Sequence, residues 1–236
     1  MHHKIQFKDL GNLAYEDALN VQLSHFEKIK NIKIQNRKQN TKLFTPNYFF
    51  FVEHPHVYTM GKNGNLSNIL FNQKQLENKK IAFYNTNRGG DSTYHGPGQV
   101  VGYPILDLDN FFTDIHAYMR KLEEVIILTI ANYGLVGERS DGETGVWLDV
   151  NTSKARKICA MGVHTSRWVT MHGFALNVNT KLNYFEGIIP CGITNKGVTS
   201  LAKELGKEID ENLVKKKILK HFSEIFESEF IDYNNL

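Results

Sequence analysis

Arg88-Gly89-Gly90-Asp91-Ser92-Thr93-Tyr94-His95-Gly96-Pro97-Gly98-Gln99 is the stretch from which the rest of the chain is best read. Its four glycines and one proline free the backbone for left-handed turns and close approach, while Arg88, Tyr94 and His95 offer polar contacts beside it. No Gly-Lys-Ser/Thr follows at P-loop spacing, and Gly-x-Gly-x-x-Gly is not present, so neither phosphate-binding fingerprint applies. Glycine content alone leaves two readings open, a loop that lines a ligand and a structural hairpin connection. By itself, His95 reads as a hydrogen-bonded structural histidine.

Outward from this loop the pattern alternates between strand and helix. Val100 to Leu106 is an apolar extended segment that tolerates Pro104 only at an edge or a bulge. Upstream, Ile81 to Tyr84 and the aromatic run Tyr48 to Val52 read as strands, with Val57-Tyr58-Thr59 resuming after His54-Pro55. Residues 62–80 read as loop. Tyr15, Leu19, Phe26 and Ile29 predict an amphipathic helix over 13–30. Tyr118, Leu122, Val125, Ile126 and Thr129 predict another over 114–133, with Gly134 placed for a left-handed cap. Val146 to Val150, Lys157 to His164 and Phe174 to Val178 read as strands, and Val214, Ile218, His221, Phe222 and Ile225 as a last amphipathic helix. The sum is an α+β fold with a mixed, largely antiparallel sheet flanked by helices. No repeat or linker divides it, so residues 1–236 are expected to form a single domain.

Composition narrows the function classes. With 236 residues, 41% of them hydrophobic, the chain can bury one sizeable core. A formal net charge of +3 leaves no nucleic-acid footprint, and the basic run Lys30 to Lys42 reads as a solvated loop. No apolar stretch approaches a membrane span and the start lacks the apolar core of a signal peptide, so no membrane partner and a cytoplasmic location are expected. The two cysteines, Cys159 and Cys191, are too few for a disulfide framework and lack zinc-ligand spacing, so no metal is expected.

Each cysteine is then a lone thiol. Cys159, between Ile158 and Ala160 in a strand pattern, reads as a buried inert residue. Cys191, between Pro190 and Gly192, sits where a rigid and a permissive residue can force a turn that projects a nucleophile, although on local sequence alone burial is the simpler reading. A thiol near neutral pH needs a cation or base before it attacks efficiently. Lys157, on one face of its strand with Cys159 and Met161, is the candidate; pointing to water is its bland alternative. Spacing cannot bring residues 157 and 191 together. His172-Gly173-Phe174-Ala175 marks a strand entrance that is either a bulge or a place where amides meet a ligand carbonyl.

Taken together, these stretches resemble the lipoyl(octanoyl) transferase family. Its hallmark Arg-Gly-Gly-x-x-Thr-Tyr-His-Gly-Pro-Gly-Gln is unbroken at Arg88 to Gln99, and Tyr103-Pro104-Ile105-Leu106 follows as in the family. Glu53-His54-Pro55-His56-Val57-Tyr58-Thr59-Met60-Gly61 looks like the family's preceding segment. The resemblance implies the fold of biotin and lipoate protein ligases and an acyltransferase without cofactor or metal. It implies Cys191 as the acyl-thioester nucleophile and Lys157 as the group that lowers its pKa. Substrate would be lined by Arg88, Gly89, Gly90, Asp91, Ser92, Thr93, Tyr94 and His95, then by Ala160, Met161 and Gly162, and by Gly173, Phe174 and Ala175. Octanoyl-acyl carrier protein would be the donor. Lipoyl domains of 2-oxoacid dehydrogenase complexes, or the glycine cleavage H protein, would be the acceptor. ATP-dependent ligases and a non-catalytic acyl-binding protein are the rival classes; the ligases carry no Pro-Cys-Gly nucleophile. Lys154 and Arg156 are basic side chains on which an acidic carrier would dock.

Overall fold

The computed structural model describes residues 3–190 and 196–233. In chain order the strands are β1 (His3–Asn12), β2 (Tyr48–Glu53), β3 (Val57–Met60), β4 (Ala82–Asn85), β5 (Ser92–His95), β6 (Gln99–Ile105), β7 (Glu138–Ser140), β8 (Glu143–Leu148), β9 (Arg156–Ser166), β10 (Val169–Asn177), β11 (Gly197–Val198) and β12 (Ser228–Asp232). The helices are α1 (Tyr15–Gln39), α2 (Gln73–Asn78), α3 (Ile115–Ala131), α4 (Leu201–Leu205) and α5 (Glu211–Phe226).

Among the described residues, a nine-stranded sheet runs β12-β1-β2-β6-β10-β9-β8-β7, with β11 paired to β9, and a three-stranded sheet runs β4-β3-β5. The pairs β1–β12, β1–β2, β3–β4 and β9–β11 are parallel and the others antiparallel, which is the mixed α+β architecture expected from the pattern. One face of the large sheet is sealed by α3 and α5, where Phe49, Phe51 and Phe174 meet Leu122, Ile126 and Phe222. The other face meets α1 through Phe50, Val52, Val101, Tyr103 and Ala175.

Helix ends follow their sequence signals. Asp114 and Asp210 cap α3 and α5 by accepting backbone N–H groups of Ala117 and of Asn212 and Leu213. Gly134 adopts φ +79 just past α3, as its position predicts. The basic run is a correction. Instead of a loop from Lys30 onward, α1 continues to Gln39, where Asn40 turns left-handed and donates to the Asn36 carbonyl. Good helix formers fill this stretch, and Arg37 and Lys38 in the last turn oppose the negative end of the helix dipole. Residues 62–80 likewise hold a helical turn at Leu66–Asn68 and α2, whose start is a capping box between Asn72 and Gln75.

Pro104 lies on a central strand, not an edge, but at a break in the ladder. Pairing of β6 with β10 runs from Gln99–Asn177 to Gly102–Phe174 and stops. It resumes only where Thr170 N–H donates to the Leu106 carbonyl at 2.9 Å. Opposite the break, His172 has φ +60 and sends its N–H to Gln22 Oε1 on α1 at 2.9 Å. Proline has no N–H to leave unpaired, so the strand loses nothing where its neighbour turns away.

Candidate active site

The period of two along β6, β10 and β9 aligns Val101, Ala175 and Ala160 in one row across the α1 face, with Gly173 opposite Gly162 in the next. Small side chains in adjacent rows leave the sheet floor bare. Above it, Tyr15 from α1, Arg88 and Gly90 from the glycine-rich loop, and Thr93 and His95 from β5 surround a narrow cavity of about 40 Å³. Tyr103, Met161 and His172 complete the lining, and Phe174 borders it although its ring packs in the core under α3 and α5.

The cavity surface is mostly apolar, and its polar groups are largely uncharged. His54 donates from Nδ1 to the Leu13 carbonyl (2.8 Å), so its Nε2 accepts from the Tyr103 hydroxyl (2.7 Å). Gln99 donates to the Tyr94 carbonyl and to Asn177, which leaves its Oε1 to accept from His95 Nδ1 at 2.8 Å. His172 Nε2 meets Asn87 Oδ1 at 2.6 Å. Burial pushes the pKa of His54 down to about 4 and those of His95 and His172 to about 3, so all three imidazoles are neutral near pH 7. Arg88 carries the charge. Its Nη2 donates to the Thr59 carbonyl at 2.7 Å and hydroxyl at 2.9 Å, and its Nη1 to the Gly89 carbonyl.

Beside this cavity lies a wider cleft of about 470 Å³ lined by Lys157, Glu143, Thr144, Gly89 and Asp91. Gly90, Met161 and Gly162 line both spaces and form the partition between them. Lys157 is 7% exposed, so it does not simply point to water, and its Nζ stands 4.5 Å from the centroid of the Trp147 ring. Lys196 Nζ lies 5.0 Å from the same ring and also binds Glu143. Burial pushes the Glu143 carboxyl up, but hydrogen bonds from Lys196 and Ser140 outweigh it and hold the group below the usual carboxylate range.

Two residues of the hallmark face elsewhere. Ser92 donates from Oγ to the Ile189 carbonyl at 3.0 Å. Tyr94 is buried against Tyr58 and Phe185 with its hydroxyl 2.7 Å from His56 Nδ1. Gly89 ties the loop to β9 by donating to the Val163 carbonyl at 2.9 Å. Cys159 is fully buried and its thiol is raised well above the usual range by that burial, as an inert residue should be. Cys191 lies outside the described residues.

The residues flanking 191–195 are well anchored. Before them, Ile189 accepts from Ser92 and donates to the Asn68 carbonyl. After them, Gly197 and Val198 pair with Arg156 and Lys157, and Thr199 N–H donates to the Lys157 carbonyl at 2.9 Å. Arg156 is engaged by Asp149 and Glu204, so its charge is already matched. Sequence reasoning missed Tyr15, Val101 and Tyr103 as lining residues. Val101 and Tyr103 share one face of the strand after the hallmark, which is a readable signal; Tyr15 opens a helix and has none. Among the described residues, no group of three or more His, Cys, Asp or Glu side chains could hold a metal ion, and no helix is long and apolar enough to cross a membrane.

Comparison with known proteins fits this geometry. The model of the lipoyl protein ligase A/B catalytic domain matches residues 15–223. An octanoyltransferase of Flavobacterium johnsoniae is 63% identical over 98% of this chain and 100% of its own length. One from Cytophaga hutchinsonii is 51% identical over 93% of this chain and 91% of its own. Among solved structures, the bipartite lipoate protein ligase of Thermoplasma acidophilum superposes with a TM-score of 0.69 at 15% identity, covering 98% of this chain and 86% of that one. Lipoate-protein ligase A bound with ATP gives 0.69 at 14% identity, covering 98% and 88%. These two likenesses speak to the fold alone.

Proposed function

The chain belongs to the lipoyl protein ligase A/B catalytic domain family and is an acyltransferase, and from that premise we propose that it moves an octanoyl group from octanoyl-acyl carrier protein to a lysine of a lipoyl domain through a thioester on Cys191. Residues 1–236 act as one catalytic domain in this reading. The observation that carries it is the partition of Gly90, Met161 and Gly162, with a narrow, largely apolar cavity roofed by Arg88 on one side and the buried ammonium of Lys157 on the other. An alkyl tail suits the first space and the reacting carbonyl the second.

Connectivity supports Cys191 as the nucleophile. It is peptide-bonded to Pro190, next to the Ile189 carbonyl that the hallmark serine holds, and after residue 195 Lys196 shares the Trp147 ring with Lys157 while Val198 pairs with it. In the first half-reaction the Cys191 thiolate attacks the donor thioester, the tetrahedral oxyanion collapses, and the carrier thiolate leaves. Exchange between two thioesters is close to isoenergetic and needs no ATP. In the second, the acceptor lysine loses a proton, attacks the enzyme thioester as a neutral amine and expels the Cys191 thiolate, leaving an amide. Lys157 neutralises the thiolate in each resting state and relays the proton between amine and sulfur. Backbone N–H groups near Gly162 would receive the oxyanion.

The test is intact-mass spectrometry after incubation with octanoyl-carrier, with and without ATP. One octanoyl adduct on the wild type, absent from Cys191→Ser and indifferent to ATP, is expected. An acyl-adenylate with pyrophosphate release would move the protein to the ligases, and saturable binding without any adduct would make it a non-catalytic binder.

A further inference from the structure

The end of α1, the segment 41–45 after it and the β9–β10 turn meet in an open hollow of about 630 Å³ that the mechanism does not use. Three large apolar side chains are exposed there, Phe44 at 62%, Leu43 at 48% and Trp168 at 40%. Exposure of this kind on one contiguous surface marks an interaction site more often than a solvated one. The three cations around them, Arg37, Lys42 and Arg167, have no carboxylate within ion-pair distance among the described residues. The acids of the hollow, Asp107 and Asp109, are both taken by Lys33.

The surface is also held ready. Asn36 grips the segment from both sides, donating to the Leu43 carbonyl and accepting from Leu43 N–H, each at 2.8 Å, and from the Thr41 hydroxyl at 2.9 Å. Arg167 and Trp168 are the central pair of a two-residue hairpin turn with φ +52 and +63. Such a turn favours Asn-Gly, and two bulky residues there are strained, so their side chains are kept at a conformational cost.

We propose that this surface docks the acyl donor, an acidic carrier domain that presents its thioester on a flexible arm. The assignment rests on the octanoyl-transfer reading. Charge complementarity selects an acidic partner, and the exposed rings supply the apolar contact at its centre. The same hairpin that forms the surface at its tip lines the cavity at its stem: Gly162 and Gly173 are each five residues from the turn, about 17 Å along an extended strand. Between them, β8 pairs with β9 only as far as Cys159; beyond it Gly89 holds the Val163 carbonyl, and the cleft containing Lys157 reaches Asn63 and Val163 along that edge. An arm extended along this edge delivers its thioester to the cleft. Lys30 and Lys62 act on His164 part way along, although Lys30 is shared with Glu27. Lys154 and Arg156 are the poorer alternative, since Asp149 and Glu204 already engage Arg156.

Steady-state transfer to one lipoyl domain, from octanoyl-carrier protein and from octanoyl-pantetheine as a carrier-free donor, tests this in Arg37→Glu/Lys42→Glu/Arg167→Glu and in Phe44→Ser/Trp168→Asn. At low ionic strength KM for the carrier donor should rise about tenfold or more with kcat unchanged. KM for octanoyl-pantetheine should stay at the wild-type value, which also shows that the variants fold. Added salt should raise the wild-type KM for the carrier towards that of the charge variant. An unchanged KM for the carrier donor overturns the proposal, and so does a rise confined to the lipoyl domain, which would give the surface to the acceptor. A wild type inert towards both donors would end the functional reading itself, and this surface with it.

Discussion

Phe174 and Ala175 are neighbours on β10 and face opposite sides of the same sheet. Phe174 packs against Phe49 in the core under α3 and α5, and its ring covers Gly102, where a Cβ would come within 2.3 Å of it. Ala175 lies between Val101 and Ala160 and leaves the opposite face low enough to hold a cavity. Backbone and register are common to both sides. What separates a sealed core from a cavity here is side-chain size at alternate positions, together with the polar loop that roofs one face and the helices that cover the other.

The largest effect should come from opening the sealed face. Phe222 is fully buried, stacked on Phe226 with centroids 4.2 Å apart and edge-on to Phe49 at 5.1 Å. Phe222→Ala should cost ~3–5 kcal/mol in urea-melt stability. Acyl loading per folded molecule should not change; if it falls with stability intact, the two faces are coupled and the contrast fails.

On the site face the balance should invert. A Cβ on Gly162 would sit 2.8 Å from the Gly89 carbonyl oxygen, so Gly162→Ala must push the loop off the partition. A displacement of this kind is expected to lower kcat/KM about 100-fold, with the melting temperature within a few degrees of wild type. Equal loss of stability would make this position ordinary core.

Acid should act on the site face before the sealed one. His54, His95 and His172 have pKa values of about 3 to 4 in the fold against 6.5 for the free group, so in that window the unfolded chain binds more protons than the native one. Stability therefore falls as pH drops from about 6.5 towards 4. Circular-dichroism melts across that range should show the decline, and a flat profile would mean that these imidazoles are not buried neutral.

The smallest change concerns the sulfur on the sealed side. Cys159→Ala should lower stability by at most ~1.5 kcal/mol and leave octanoyl loading at the wild-type level. Loss of the adduct in this variant would transfer the nucleophile's role from residue 191 to residue 159.

Sequence alone settled a good deal. Apolar periodicity located α3, α5 and the strands of the sheet's centre, because burial of one helix or strand face leaves a mark on every third, fourth or second residue. The unbroken stretch Arg88 to Gln99 announced the family, since glycines that must pass close to other backbone cannot be exchanged freely. Short or edge elements such as β5, β11 and β12 left no such mark, and α1 outran its apolar stripe because propensity and dipole carried it through a polar stretch. Only tertiary structure decided that Tyr15, far away along the chain, joins His95, Ala160 and Ala175 around one cavity, and that Lys157 is buried against Trp147. The physical reason is that pattern records which way a side chain faces, whereas the pairing of distant strands determines what it meets there.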